Sequence, residues 1–451
     1  MQDICQATKE LYPKLVNEAI RRTPKSRELY NQSVRVFPGG VTYRIRDFDP
    51  YPLFILRAHA NRVVDVDGNV YTDYWMGHGA LILGHANPSI VKTVSSQMEM
   101  GSHYGFEHPL AVKWGEVIKR NYKPVEMIRF TNSGTEANIY ALRLARAYTG
   151  KRRVVKIKGG WHGSYNGLHV NVHPPFTGKP ESPGILDEYG KYTLSVELNS
   201  IEEVRKVFKE YGDDVAAFVM EPVLGAGGGV PADKAFVEEV RRQCDRYGCV
   251  LVFDEVITGF RVGLNGGFGL LGVEPDLVVM GKVIGGGLPA GAFGGKSEIM
   301  RLLDHRSMVN HVFQGGTFTG NPLTASAGIA TIKTLEDNPD LYEKLGRLHS
   351  MLDKGLSEVS EDYNIDIHVT GTTGITGIHF TRKKPGNATE VFKERYCEPL
   401  YKLLNLFMRN KGVLYIGESV AHLLPSTQHD EDDVSRFIEL VSEFFSLVSK
   451  A

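Results

Sequence analysis

The chain predicts an α/β fold with a mainly parallel central sheet, and three observations carry that prediction. Short apolar runs of strand length, at Arg153–Ile157, Val215–Met220, 250–253 and 277–280, alternate with amphipathic helical stretches. Apart from Arg153 and Lys156 in the first, those runs are apolar throughout, as expected of interior strands covered by helices on both faces. Two of them end in side chains able to do chemistry: the run 250–253 leads into Asp254 and Glu255, and the run 277–280 leads through Gly281 to Lys282.

Taken in order, a strand at 128–131 is followed by Asn132, Ser133, Gly134 and Thr135 and then by a helix. That helix aligns Ala137, Ala141, Leu144, Ala145 and Tyr148 on one face and stops at Gly150. A second helix at 233–247 shares Phe236, Val237, Val240, Cys244 and Tyr247 on a face, with Asp233 at its start and Gly248 at its end. The stretch 369–380 reads as β-rich, and 430–448 as a final amphipathic helix opened by Asp430, Glu431, Asp432 and Asp433. The Pro- and Gly-containing stretch 174–184, with 189–192 after it, reads as a mobile loop near the site.

The chemistry starts from Lys282. A lysine at a strand end, just before Gly285, Gly286 and Gly287, is placed to be desolvated, and desolvation makes an ε-amine nucleophilic near neutral pH. Asp254, at a neighbouring strand end, suits the task of keeping a pyridine nitrogen protonated. That pair matches pyridoxal 5'-phosphate (PLP), whose ring is an electron sink only while its nitrogen carries charge. Ser133, Gly134 and Thr135 stand at a helix N-terminus, where free N–H groups, the helix dipole and two hydroxyls favour a phosphate. A hydroxyl there also suits ordinary helix capping. Trp161, in Gly159-Gly160-Trp161-His162-Gly163, offers a flat surface for ring stacking, or simply core packing.

Five blocks in this order resemble the class III PLP-dependent aminotransferases. They are Ser133 to Ala137, Trp161-His162-Gly163, Glu221-Pro222-Val223, Asp254 to Arg261, and Gly281-Lys282. Within them the chain is most similar to the glutamate-1-semialdehyde 2,1-aminomutase branch, from about Ser26 to about Phe437. The branch's further marks include Pro38-Gly39-Gly40-Val41, Leu83-Gly84-His85 and Gly320-Asn321-Pro322-Leu323. The resemblance implies a fold type I transferase, with residues 1–75 and 331–451 forming a smaller α+β domain around a large PLP-binding domain at 76–330. It implies that Lys282 carries the cofactor as an internal aldimine and shuttles the proton, and that Asp254 faces the pyridinium. It places Val256 and Trp161 on the two ring faces, with His162 and Glu221 beside the cofactor. Ser133, Gly134 and Thr135 would hold the phosphate, and Thr317 would reach the phosphate of a neighbouring subunit. That last role implies a homodimer with shared active sites. Arg46, with Arg44 as a second candidate, falls where the branch binds the substrate carboxylate.

Three positions depart from the aminomutase branch: His78 stands for a tryptophan, Ala226 for an asparagine and Ala421 for an acidic residue. All three are expected to border the site, with His78 a candidate substrate contact. These departures favour transfer of an amino group from an amino acid or amine to a separate keto or aldehyde acceptor through pyridoxamine phosphate. The 2,1-aminomutase reaction, which gives 5-aminolevulinate, is the alternative, and a PLP-dependent racemase a further one. A dinucleotide-binding oxidoreductase fits poorly, because Gly77, Gly79 and Gly84 miss the required glycine spacing.

The remaining features exclude other classes. A net charge of −1 over 451 residues, without a basic stripe, argues against a nucleic-acid partner. No apolar run reaches the roughly 18 residues that suggest a membrane span, and residues 1–6 lack the apolar core of a secretory signal. A cytoplasmic enzyme of small molecules is expected, with no metal site. Cys5, Cys244, Cys249 and Cys397 are expected to be reduced thiols.

Overall fold

The computed structural model describes residues 2–306, 311–417 and 421–450. Its centre is a seven-stranded sheet in the order Met127–Thr131, Gly291–Gly295, Leu277–Gly281, Val250–Glu255, Val215–Met220, Arg153–Ile157, Thr193–Val196. All strands run parallel except Gly291–Gly295, which is antiparallel to both neighbours. The three central strands are buried along their whole length, which is why they read as unbroken apolar runs. Gly291–Gly295 has no such run, and its glycines answer a spatial need. A Cβ on Gly291 would meet the carbonyl oxygen of Ser133 at 2.2 Å, so only glycine lets this strand pass beneath the turn that starts the next helix.

Parallel strands put their C-terminal ends on one edge. Asp254 and Lys282 therefore lie on adjacent strands of the same edge, where Asp254 pairs in register with Val279. The helix Gly134–Thr149 packs across the sheet from that edge.

The two chain ends meet. Ile55–His59, Arg62–Asp65 and Val70–Asp73 form a sheet completed by Val413–Leu414, which runs parallel to Val70–Asp73. A three-stranded sheet of His368–Thr372, Ile375–His379 and Ala421–Leu423 is covered by the helices Asp340–Tyr363 and Glu431–Val448. The last helix is anchored by Asp433, whose carboxylate accepts from Asn61 and Arg62, each at 2.6 Å, and closes a capping box with Asp430.

Two expectations are corrected here. Cys5 and Cys397 form a disulfide, with Cα atoms 5.9 Å apart. The first helix, Gln2–Arg22, packs along Glu398–Asn410 and so brings together cysteines that are 392 positions apart, a proximity that spacing cannot reveal. Cys244 and Cys249 remain buried thiols. The stretch expected to be a mobile loop is also structured. Asp187–Tyr192 is a short helix, and Glu181 accepts from the backbone of His173 at 2.9 Å.

Asp433→Ala removes both the ion pair and the capping box, and is expected to lower unfolding stability by roughly 2–4 kcal/mol. The urea midpoint measures this; a midpoint equal to wild type would show that the Asp433 contacts add nothing to the stability of the joined chain ends.

Candidate active site

Alternation along Val250–Glu255 separates two adjacent carboxylates into different jobs. Glu255 turns away from the sheet edge and is consumed by Tyr122, Thr258 and the N–H groups of Gly267 and Phe268. Asp254 faces the opposite side and is 2 % exposed. Its Oδ2 accepts from Asn138 Nδ2 at 2.8 Å and meets His162 Nδ1 at 2.8 Å, while Oδ1 accepts the N–H of Val256 at 3.0 Å. Burial holds the His162 imidazole below its ordinary pKa despite the carboxylate beside it. A neutral His162 donates from Nδ1 to Asp254.

Lys282 emerges from the end of Leu277–Gly281 with φ of 48°, in the left-handed region, and its side chain stays partly open to the cleft. Desolvation pulls its amine down from 10.5 to about 8, against the opposing fields of Glu221 and Asp254. Glu221 is buried between Trp161, whose N–H it accepts at 2.9 Å, and Gly225, whose N–H it accepts at 3.1 Å. Burial and the field of Asp254 push it up to about 8. An acid and an amine with such converging pKa values, side by side in a cleft, mark a candidate functional site.

The helix N-terminus is joined to this cluster by close packing. A Cβ on Gly134 would meet Val256 at 2.6 Å, and one on Gly163 would meet Thr135 Oγ1 at 2.1 Å. Ser133 caps the helix through the N–H of Glu136 at 3.2 Å, and Thr135 Oγ1 accepts the N–H of Ser164 at 3.3 Å. Gly134, Thr135, Val256 and the loop bearing Trp161 and His162 thus pack together at the sheet edge, with an anion-favouring helix end on one side and Asp254 on another.

His78 sits at the rim of that space. Burial and the charges of Lys282 and Arg46 hold its imidazole down at about 4, so it is neutral at physiological pH. Its ring lies edge-on to Trp75, with centroids 4.7 Å apart, and stacks on Tyr43 at 5.9 Å. Arg46 is exposed and donates to Thr42 at 2.9 Å, and Arg44 is exposed on the same turn. Thr317 does not join the Lys282 group: it is exposed and lines a surface cavity of about 830 Å³ with His103, Phe106 and Gln314.

Ala226 lies in the turn beside Glu221. Ala421 is placed differently from the expectation. It packs into the apolar core with Ile378 and Leu423, and the charge of its neighbour His422, on the other face of the strand, is the one that reaches His78.

Sequence reasoning missed three site residues. Asn138 is an amide among the inward alanines of its helix, and that misfit was the available signal. Arg261 lies in the Asp254 block but had no role until its partners were visible. It is wholly buried and donates to the carbonyls of Gly79 at 2.7 Å, Pro425 at 3.0 Å and Gly374 at 3.1 Å. Lys156 is the single charge inside a buried strand.

The family description Aminotransferase class-III matches residues 43–445, and the chain belongs to that family of PLP-dependent enzymes. Over 420 residues it is 40% identical to the glutamate-1-semialdehyde 2,1-aminomutase of Methanococcoides burtonii, covering 92% of this chain and 97% of the relative. It superposes on an omega-transaminase from Sphaerobacter thermophilus with a TM-score of 0.89 and 29% identity, over 94% of this chain and 98% of the other. A glutamate-1-semialdehyde aminomutase from Pseudomonas aeruginosa PAO1 gives a TM-score of 0.89 at 26% identity, over 98% and 99% of the two chains. The residues fit the cofactor: a buried carboxylate, Asp254, lies beside a helix N-terminus whose Gly134 leaves no room for a Cβ against Val256.

The Lys282 amine gains free base as pH rises through about 8. Capture of PLP by the apoprotein, followed by absorbance, should therefore accelerate up to that pH and then level off. A rate still climbing in the ordinary lysine range would show that the amine is not desolvated.

Proposed function

We propose that this chain moves an amino group on a small carboxylate-bearing substrate, with Lys282 as the acid–base residue and covalent anchor. The observation that carries the reading is the desolvated Lys282 amine at the sheet edge where the buried Asp254 is fixed by Asn138 and His162. When bound, PLP supplies an electron sink for the carbanion left after proton removal.

The chain's own residues do the rest. Asp254 would face the ring nitrogen and hold a proton there, and the hydrogen bonds from Asn138 and His162 fix the carboxylate's orientation. Val256 and Trp161 hold the ring between two apolar faces. Ser133, Gly134 and Thr135 take the phosphate on free N–H and hydroxyl groups, with Thr317 acting from a neighbouring subunit of a homodimer. Lys282 would act as the general base that takes the proton from the substrate carbon. Arg46 binds the substrate carboxylate as a fork of two donors. Glu221 orients the Trp161 loop through the Trp161 N–H.

The named relatives support the intramolecular 2,1-aminomutase reaction on glutamate-1-semialdehyde, ahead of the intermolecular transfer expected from the departures in sequence. Transfer between two substrates is the second reading. It is favoured by the neutral His78 and by Ala226 beside Glu221, two positions where the branch's substrate contacts differ.

One experiment separates the two. The purified holoenzyme with glutamate-1-semialdehyde and no acceptor should yield 5-aminolevulinate. No product there, together with transfer from an amine to an added keto acid, would reject the aminomutase reading. Lys282→Ala should abolish turnover and the visible absorbance of bound cofactor together; a variant that still turns over would remove Lys282 from its role.

A further inference from the structure

Lys156 is 0 % exposed, in the middle of a strand whose inner residues are otherwise apolar. A lysine there is costly. Burial alone draws its amine down from 10.5 to about 7, and none of the steps above uses it. Its direct partners are carbonyls only: Gly160 at 2.8 Å, Val170 at 2.9 Å and Leu168 at 3.3 Å. Glu181 and Glu221 act on it through their fields.

Those three carbonyls belong to one loop. It is pinched at its neck, where the N–H of Gly159 donates to the carbonyl of Asn171 at 2.8 Å. Its outer side carries Trp161, bonded to Glu221, His162, bonded to Asp254, and Ser164, bonded to Thr135. The loop is therefore held from the front by the site and from behind by Lys156, with Thr193 Oγ1 donating to the carbonyl of Gly167 at 2.6 Å and the N–H of Glu181 to that of His169 at 3.1 Å. An ammonium has three donors, and three carbonyls converge on this one.

We propose that Lys156 is a positioning residue for cofactor binding, its buried ammonium organising residues 160–170 so that Trp161 meets the ring face and His162 meets Asp254. The proposal rests on the reading of Trp161 and Asp254 given above. Without the ammonium, the three carbonyls would lose their shared donor and turn toward other partners, carrying the two side chains with them. Charge at this point organises backbone rather than touching substrate, so its loss should act first on cofactor affinity and loop order.

The test uses Lys156→Met, which keeps the length and apolar stem, and Lys156→Gln, which keeps two donors. PLP affinity is measured by equilibrium titration, and amide hydrogen exchange is followed in the apoprotein. Lys156→Met is expected to weaken PLP binding about 10-fold or more and to speed exchange across 159–171 while leaving Val215–Met220 unchanged. Lys156→Gln should fall between Met and wild type, a graded rescue that loss of packing alone would not give. Wild-type affinity and exchange in Lys156→Met would overturn the proposal, as would lost protection spread evenly through the sheet. If Lys156→Met does not accumulate as folded protein, Lys156→Gln is read the same way. A wild-type protein that fails to bind PLP would reject the site reading instead, and exchange in the apoprotein would still decide whether Lys156 orders the loop.

Discussion

A buried carboxylate at the end of a central strand is the constraint around which this site is arranged. Asp254 is removed from water, and an ionised carboxylate so placed costs several kcal/mol unless it is met by donors. The fold meets it from three directions: Asn138 from the helix Gly134–Thr149, His162 from the loop after Arg153–Ile157, and the N–H of Val256 from its own chain. Those donors are supplied by three separate elements, so satisfying one charge fixes the helix, the loop and the strand end relative to one another. The helix N-terminus is thereby set at one side of the cleft and the indole of Trp161 at another. Glu255, one residue on, faces the opposite way and spends its oxygens on structure.

A second buried charge links that site to the part of the molecule made from the chain ends. Arg261 donates to Gly79, to Gly374 and to Pro425, three segments far apart in sequence. Gly79 closes a turn in which Met76, Gly77, His78 and Gly79 all have positive φ. For Met76 and His78 that conformation carries strain of order 1 kcal/mol or more each. Asp73 holds the turn's entrance, accepting from the N–H groups of Trp75 at 2.8 Å and Met76 at 3.1 Å, while Arg261 holds its exit. The outcome of this anchored strain is one side chain: His78 projects to the rim, within the field of both Lys282 and Arg46. Strain concentrated where a substrate would pass is the pattern expected of a functional turn rather than of a packing defect.

The central strands were legible because they are buried on both faces, and so was the sheet edge bearing Asp254 and Lys282, because two strand ends need no knowledge of distant residues. What stayed hidden depends on long-range meeting. Gly291–Gly295 has no apolar signature, and its direction is set by a close pass under Ser133. The disulfide joins the two extremes of the chain. Arg261 and Lys156 are buried cations whose partners are backbone carbonyls, and carbonyls leave no trace in a sequence. Asn138 differs, since an amide on an inward helical face is a readable irregularity.

The same limit governs how the departures from the aminomutase branch should be weighed. The resemblance puts Ala421 at the site, yet the strand's two-residue alternation sends Ala421 into the core with Leu423 and turns His422 the other way. A missing acid at 421 therefore says little about the cleft. That removes the departure that pointed most directly to a changed substrate region, and it moves the balance toward the reaction named for the relatives. What remains is His78, whose neutral imidazole can both donate and accept where an indole can only donate. Whether the amino group returns to its own carbon skeleton depends on how firmly the cleft retains the intermediate. Of the positions that depart from the branch, His78 stands on a strained turn within the field of Lys282, whereas Ala421 is in the core.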